Sequence, residues 1–256
     1  MRTLVIFDLD GVITSEAGYW ETAREGIRQI APAATIPQDF IYWVKNHAIN
    51  HNWDLAFVAL SAYQDFDGFR EQHEHLTGKE LLAACPGYRD EPWIHCHEVC
   101  QKLQDQRVPL EVLLDATPML EALKDRCTFA VATGRPRAEA LAPLENAGIL
   151  QYFDPNRIVT HNDVVEAERA QPGESLGKPN PFILYRAMRG DFAPENTVFV
   201  GDTLSDVQAA ERAGVRCIGV LTALPSGPYR QARRRILQDA GCRTLLDSVL
   251  DLPGVL

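Results

Sequence analysis

The sequence predicts an α/β protein: a doubly wound, parallel-sheet core interrupted by an α-helical insertion. Two observations carry that expectation. Four short apolar runs recur with helix-length segments between them, and one long early stretch breaks the rhythm. The runs are Thr3–Phe7 (TLVIF), Thr128–Ala132 (TFAVA), Thr197–Val200 (TVFV) and Cys217–Val220 (CIGV). They are nearly continuous rather than alternating, which marks strands covered on both faces, the usual state of a parallel sheet. Helix-length segments Pro136–Ala147, Pro181–Arg189 and Asp206–Ala213 lie between or before them, so strand and helix alternate in a Rossmann-like pattern. Arg157–Thr160 (RIVT) is a weaker strand, and Gly148 and Gly214 stand where helix C-caps belong.

The segment 15–115 lacks β-branched runs and reads as successive helices, for example Ala17–Ile30, Pro37–Val44 and Trp93–Gln106. All four tryptophans (Trp20, Trp43, Trp53, Trp93) and every histidine except His161 fall inside it. The expected organisation is therefore a core of residues 1–14 and 116–256 with a helical domain at 15–115. Pro, Gly and Ser cluster between Ala170 and Pro181, the one linker-like stretch.

Bulk properties narrow the function classes. A chain of 256 residues with 46% hydrophobic residues can bury a sizeable core. A formal net charge of -10 argues against nucleic acid as a general partner, because that binding neutralises phosphates with Lys and Arg. The local basic run Arg230, Arg233, Arg234, Arg235 has helical spacing and reads as a solvated face. No apolar stretch approaches the roughly 20 residues needed to cross a bilayer, and the opening apolar run ends at once in Asp8-Leu9-Asp10, unlike a secretory signal. A cytoplasmic protein with six reduced cysteines is expected.

Chemistry gathers at the ends of the apolar runs. The first ends in Phe7-Asp8-Leu9-Asp10-Gly11, two carboxylates at the carboxyl edge of a buried strand, where open α/β sheets bind ligands. Residues two apart in a strand point the same way, so Asp8 and Asp10 suit metal binding or acid/base work. The second ends in Ala132-Thr133-Gly134-Arg135-Pro136, a hydroxyl and backbone N–H groups at a helix start, able to cradle phosphate oxygens. Lys178, in Gly177-Lys178-Pro179-Asn180-Pro181, places a point charge on a stiff loop before a helix. The third run leads into Gly201-Asp202-Thr203-Leu204-Ser205-Asp206, a second carboxylate pair that suits the oxygen-seeking Mg²⁺ ion. Each signal alone also reads as ordinary structure: a polar turn, a Thr-Gly turn, a surface lysine, or a helix start capped by Thr203 or Ser205.

In combination and order these motifs resemble the haloacid-dehalogenase-like superfamily. FDLDGV is similar to its first motif, VATGR to its second, GKPNP to its third and VFVGDTLSD to its fourth, and 15–115 sits where that family carries a mostly helical cap. The resemblance implies a magnesium-dependent phosphatase acting on a small phosphorylated metabolite through a phospho-aspartate. It implies that Asp8 is the nucleophile and that Asp10 serves as acid and then base. Thr133, Gly134 and Lys178 would hold phosphoryl oxygens. Mg²⁺ would be bound by Asp8, the Asp10 main-chain carbonyl and Asp202, with Asp206 a further ligand or supporting partner. A phosphomutase of the same fold and a catalytically silent partner-binding protein remain as alternatives. Within the insertion, Tyr19 and Trp20 lie nearest the catalytic strand in sequence and are the expected substrate contacts. His95-Cys96-His97-Glu98-Val99-Cys100 admits a zinc reading beside the plainer one of core cysteines with surface histidines.

Overall fold

The computed structural model describes residues 2–104, 111–170, 173 and 175–256. It divides into two compact units, Met1–Ser15 with Pro109–Leu256, and Glu16–Val108. Strand β1 (Thr3–Phe7) opens the first unit. The second contains helices α1 (Ala17–Ile30), α2 (Gln38–Asn46), α3 (Asn52–Ala62), α4 (Phe66–His73), α5 (Lys79–Ala84) and α6 (Glu91–Gln104). The chain then returns to the first unit through α7 (Thr117–Leu123), β2 (Cys127–Ala132), α8 (Arg137–Asn146), β3 (Phe153–Val159), α9 (His161–Ala170) and α10 (Phe182–Met188). It finishes with β4 (Thr197–Gly201), α11 (Leu204–Ala213), β5 (Arg216–Val220), α12 (Pro228–Asp239), β6 (Thr244–Leu246) and a 3₁₀ turn at Val249–Gly254.

The six strands form one parallel sheet in the order β3-β2-β1-β4-β5-β6. Alternate residues feed opposite faces, as the two-residue period of a strand requires. Val5, Phe7, Phe129, Val131, Val198 and Val200 pack with Met119, Leu120 and Leu144 on one side. Leu4, Ile6, Ala130, Ala132 and Phe199 pack with Ile183, Leu184 and Ala209 on the other. Both faces are covered by apolar helices, which is why the strand sequences show no polar alternation.

This order places β1 between β2 and β4, at the point where the chain reverses its direction of travel across the sheet. In doubly wound sheets ligands bind outside the carboxyl ends of strands at that point. The segments after β1, β2 and β4 therefore converge there, although more than a hundred residues separate the first from the second.

The helical unit has its own aromatic interior. Phe40 stacks on Trp43 (5.5 Å between centroids) and lies 4.5 Å from Phe66. Buried Lys45 pairs with Glu16 inside the same unit. Cys96 and Cys100 face inward from α6, and burial pushes their thiols up to about 11 and about 12. His97 packs against Trp53 and Trp93. Among the described residues the His95–Cys100 run does not form a group able to hold a metal ion.

The basic run on α12 corrects the sequence reading of a solvated face. Arg235 is exposed, but Arg233 is 4% exposed, and Arg230 reaches the main-chain carbonyls of Leu221 and Asp247, each at 2.7 Å. Helical geometry explains it, since Arg230, Arg233 and Leu237 are three or four residues apart and share one face.

Candidate active site

Asp8 follows β1 directly, and its main-chain N–H donates to the Val200 carbonyl (2.9 Å), which ties it to β4. Its side chain is buried, with Oδ2 2.8 Å from the Lys178 Nζ. The same Nζ donates to Asp206 Oδ1 at 2.7 Å. One ammonium thus bridges two carboxylates from different strand ends. Oxygens of Asp8, Asp202 and Asp206 lie within 4.8 Å of one another, all three residues buried.

The close approach depends on glycine. Gly11 has φ 76°, and a Cβ there would come within 2.3 Å of Asp202 Oδ2. A Cβ on Gly201 would lie 2.5 Å from the Asp206 Cβ. Side chains at either position would push the carboxylates apart.

Asp206 sits at N3 of α11 in a capping box with Thr203. Its Oδ2 accepts from the Thr203 hydroxyl (2.6 Å) and from the N–H groups of Thr203 (3.0 Å) and Asp202 (3.2 Å). Its other oxygen accepts from Lys178. Helix capping and charge placement, alternatives at the level of sequence, are here performed by one side chain. Both oxygens of Asp206 are thus engaged, one by Lys178 and the other by the 201–203 turn.

Burial pushes the Asp8 carboxyl up to about 7 from an ordinary 3.8, against the pull of Lys178 and with the push of Asp206 and Asp10. Burial also works against ionisation of Asp206, but Lys178 and Thr203 hold it below its ordinary value. Lys178 is raised: burial opposes its charge, and the two carboxylates outweigh burial. Among the three groups that Lys178 links, the lysine and Asp206 carry charge, with Asp8 poised to gain or lose a proton near neutrality.

Thr133 is buried at the end of β2, its N–H on the Val159 carbonyl (3.0 Å) and its Oγ1 accepting from the Arg135 N–H (3.3 Å). Gly134 is exposed. The Asp10 carboxylate stands apart from the cluster of three. It accepts from Arg135 Nε at 2.9 and 3.0 Å, from Arg135 Nη2, and from Thr14 Oγ1 at 3.2 Å. The same guanidinium donates to the Ser15 carbonyl (3.0 Å) and the Glu139 carbonyl (3.1 Å). Tyr19 and Trp20 lie half-buried on α1 in the other unit, Trp20 edge-on to Tyr42 at 5.6 Å.

Two arginines escaped the reading of the sequence as candidate residues. Arg135, within the VATGR run, is 2% exposed and holds the Asp10 carboxylate. Arg233, expected on a solvated face, is buried, and its Nη1 donates to the Asp202 carbonyl at 2.6 Å and lies 3.3 Å from Asp202 Oδ2. The signal available for Arg233 was its place on the helix stripe that also carries Leu237.

Three buried carboxylates with nothing softer than oxygen among them fit a hard divalent cation, and Lys178 and Arg233 supply only two positive charges against the three. A parallel α/β sheet with such a cluster at its switch point has the makings of a ligand site at the carboxyl edge of its strands. The model of the haloacid dehalogenase-like hydrolases matches residues 3–214, and the chain belongs to that family. A phosphoglycolate phosphatase of Pseudomonas putida is 37% identical, covering 97% of this chain and 80% of its own. A phosphorylated carbohydrates phosphatase of Thermotoga maritima is 27% identical over 87% of each chain. Among solved structures, a haloacid dehalogenase-like family hydrolase from Streptococcus pneumoniae superposes with a TM-score of 0.64 at 12% identity, covering 99% of this chain and 98% of that one. Among the described residues no helix is long and apolar enough to cross a membrane.

Proposed function

We propose that this hydrolase is a Mg²⁺-dependent phosphatase that cleaves a small phosphomonoester through an aspartyl-phosphate on Asp8. The observation that carries the proposal is the Lys178 ammonium held between Asp8 and Asp206 beside Asp202. An anionic carboxylate can approach an anionic phosphoryl group only where fixed positive charge offsets the repulsion, and preorganised countercharge is the main source of catalysis in phosphoryl transfer. Asp8 attacks phosphorus and Lys178 steadies the developing charge. The Thr133 hydroxyl and the Gly134 N–H hold phosphoryl oxygens. Asp10, its carboxylate oriented by Arg135 and Thr14, protonates the leaving oxygen and then takes a proton from the water that cleaves the acyl phosphate. Asp8, Asp202 and the Asp10 main-chain carbonyl would hold Mg²⁺, which supplies countercharge to the phosphoryl oxygens when bound.

The names of the two relatives favour a phosphorylated carbohydrate or a short phosphorylated acid as substrate. Choice among such esters is assigned to the helical segment 15–115, with Tyr19 and Trp20 the first residues to vary. The test is phosphate release from a panel of phosphomonoesters with Mg²⁺ and with EDTA. Release that stops in EDTA is expected. Isomerised sugar phosphate in place of free phosphate would replace the reading with a mutase, and silence across the panel would remove it.

The raised carboxyl of Asp8 adds a pH signature. Below about pH 7 the metal-free site holds a proton that an incoming cation must displace, because the ionised carboxylate is the ligand. Mg²⁺ affinity should therefore climb by up to about tenfold per pH unit from pH 5 to about 7 and level off above. Calorimetry in buffers of different ionisation enthalpy would count the released proton. Affinity that stays flat from pH 5 to 8 would contradict this assignment.

A further inference from the structure

The carboxylate cluster receives one cation from an element that none of the four motifs includes. Helix α12 buries two residues, Arg233 and Leu237, one turn apart. Leucine at both positions would serve an ordinary helix contact. A buried guanidinium is retained only with partners, since an ionised group taken out of water unpaired is strongly unfavourable. Arg233 finds its partner in Asp202, gripping the main-chain carbonyl at 2.6 Å and approaching Oδ2 at 3.3 Å. Among the three carboxylates, Lys178 pairs with Asp8 and Asp206, while Asp202 is the one that Arg233 addresses. One turn earlier on the same face, Arg230 grips the carbonyls of Leu221, Leu224 and Asp247. The two arginines thus clamp the chain at successive corners, Arg233 after β4 and Arg230 after β5.

We propose that Arg233 is a positioning residue for the divalent-cation site, holding Asp202 by its carbonyl and carboxylate in the orientation that converges on Asp8. The inference rests on the reading of Asp8 and Asp202 as cation ligands. Its direction is set against simple electrostatics. Removal of a positive charge beside a cation site strengthens cation binding if charge alone matters, and weakens it if the arginine's grip is what aims the ligand. Outer partners of metal ligands typically alter affinity by roughly 10- to 100-fold when lost.

Direct Mg²⁺ titration by calorimetry, with a thermal melt for each protein, separates these cases. Arg233→Met should weaken Mg²⁺ binding by at least about tenfold. Arg233→Lys keeps the charge but not the reach and fixed plane that set Nη1 between the Asp202 carbonyl and carboxylate, and should weaken it by about threefold or more. Arg230→Met removes the neighbouring clamp and should lower the melting temperature with Mg²⁺ affinity within about twofold of the parent. If Arg233→Met does not fold, Arg233→Lys decides alone. Parent-like or tighter binding in the Arg233 variants, or equal weakening by Arg230→Met, overturns the inference and leaves the phosphatase reading standing. A parent chain that binds no Mg²⁺ overturns both.

Discussion

Asp8→Asn is expected to lower phosphomonoester hydrolysis by at least about a thousandfold while the protein stays folded. The amide matches the carboxylate in shape and cannot form the acyl phosphate. Stability should move the other way. Burial raises the Asp8 carboxyl from 3.8 to about 7, so the ionised form is less favourable in the fold than in the unfolded chain. The folded protein binds the extra proton below about pH 7, so the native state loses stability as pH rises from about 4 through 7. Asparagine carries no such charge. In EDTA at pH 8 the variant should melt at or above the parent's temperature, with a gain on the order of a few kcal/mol at most, because Lys178 also loses a partner. Phosphate release and melts in EDTA at pH 5 and pH 8 test both halves. Activity within tenfold of the parent would remove Asp8 from its role.

Lys178→Ala should give the largest loss of stability. The ammonium lies 2.8 Å from Asp8 and 2.7 Å from Asp206, and both carboxylates are buried. Removal of one partner of a buried pair typically destabilises by about 3–5 kcal/mol. Turnover should fall by roughly a hundred- to a thousandfold as the countercharge disappears. In the parent, Asp206 is held below 3.8, so it contributes stability above about pH 4 that is lost as pH falls. Without Lys178 both carboxyls are pushed upward by burial. The variant's deficit should then be greatest at pH 8 and shrink toward pH 5, and Mg²⁺ should recover part of it at high pH. A deficit that is constant across pH would show that Lys178 acts through packing rather than charge.

The strands were the most legible part of the fold. Thr3–Phe7, Thr197–Val200 and Cys217–Val220 are apolar at consecutive positions because both faces of each strand are covered, and that constraint is written locally. Strand β3 was caught only at its end, since Asp154 and Asn156 are polar and half-buried or exposed where the strand begins. The short last strand, Thr244–Leu246, stands outside the four apolar runs, for three half-buried residues carry little periodicity.

For the site, the residue types were legible: Asp8, Thr133, Asp202 and Asp206 follow apolar runs and Lys178 precedes a helix, each ordinary alone and telling only in combination and order. Their partnerships were not. That Lys178 spans Asp8 and Asp206, that Asp206 also caps α11, and that Asp10 is drawn to Arg135 are distances between segments remote in sequence. Arg233 marks the boundary most clearly. A run of arginines on an amphipathic helix looks alike whether it meets water or a carboxylate, because helical periodicity reports which residues share a face and not what that face touches. The sequence by itself determined the parallel α/β core and the kinds of group available at its carboxyl edge, since burial and turn chemistry are local demands on residue type. Only the tertiary structure decided which charge neutralises which, because electrostatic pairing depends on through-space separations of a few ångströms that chain order does not encode.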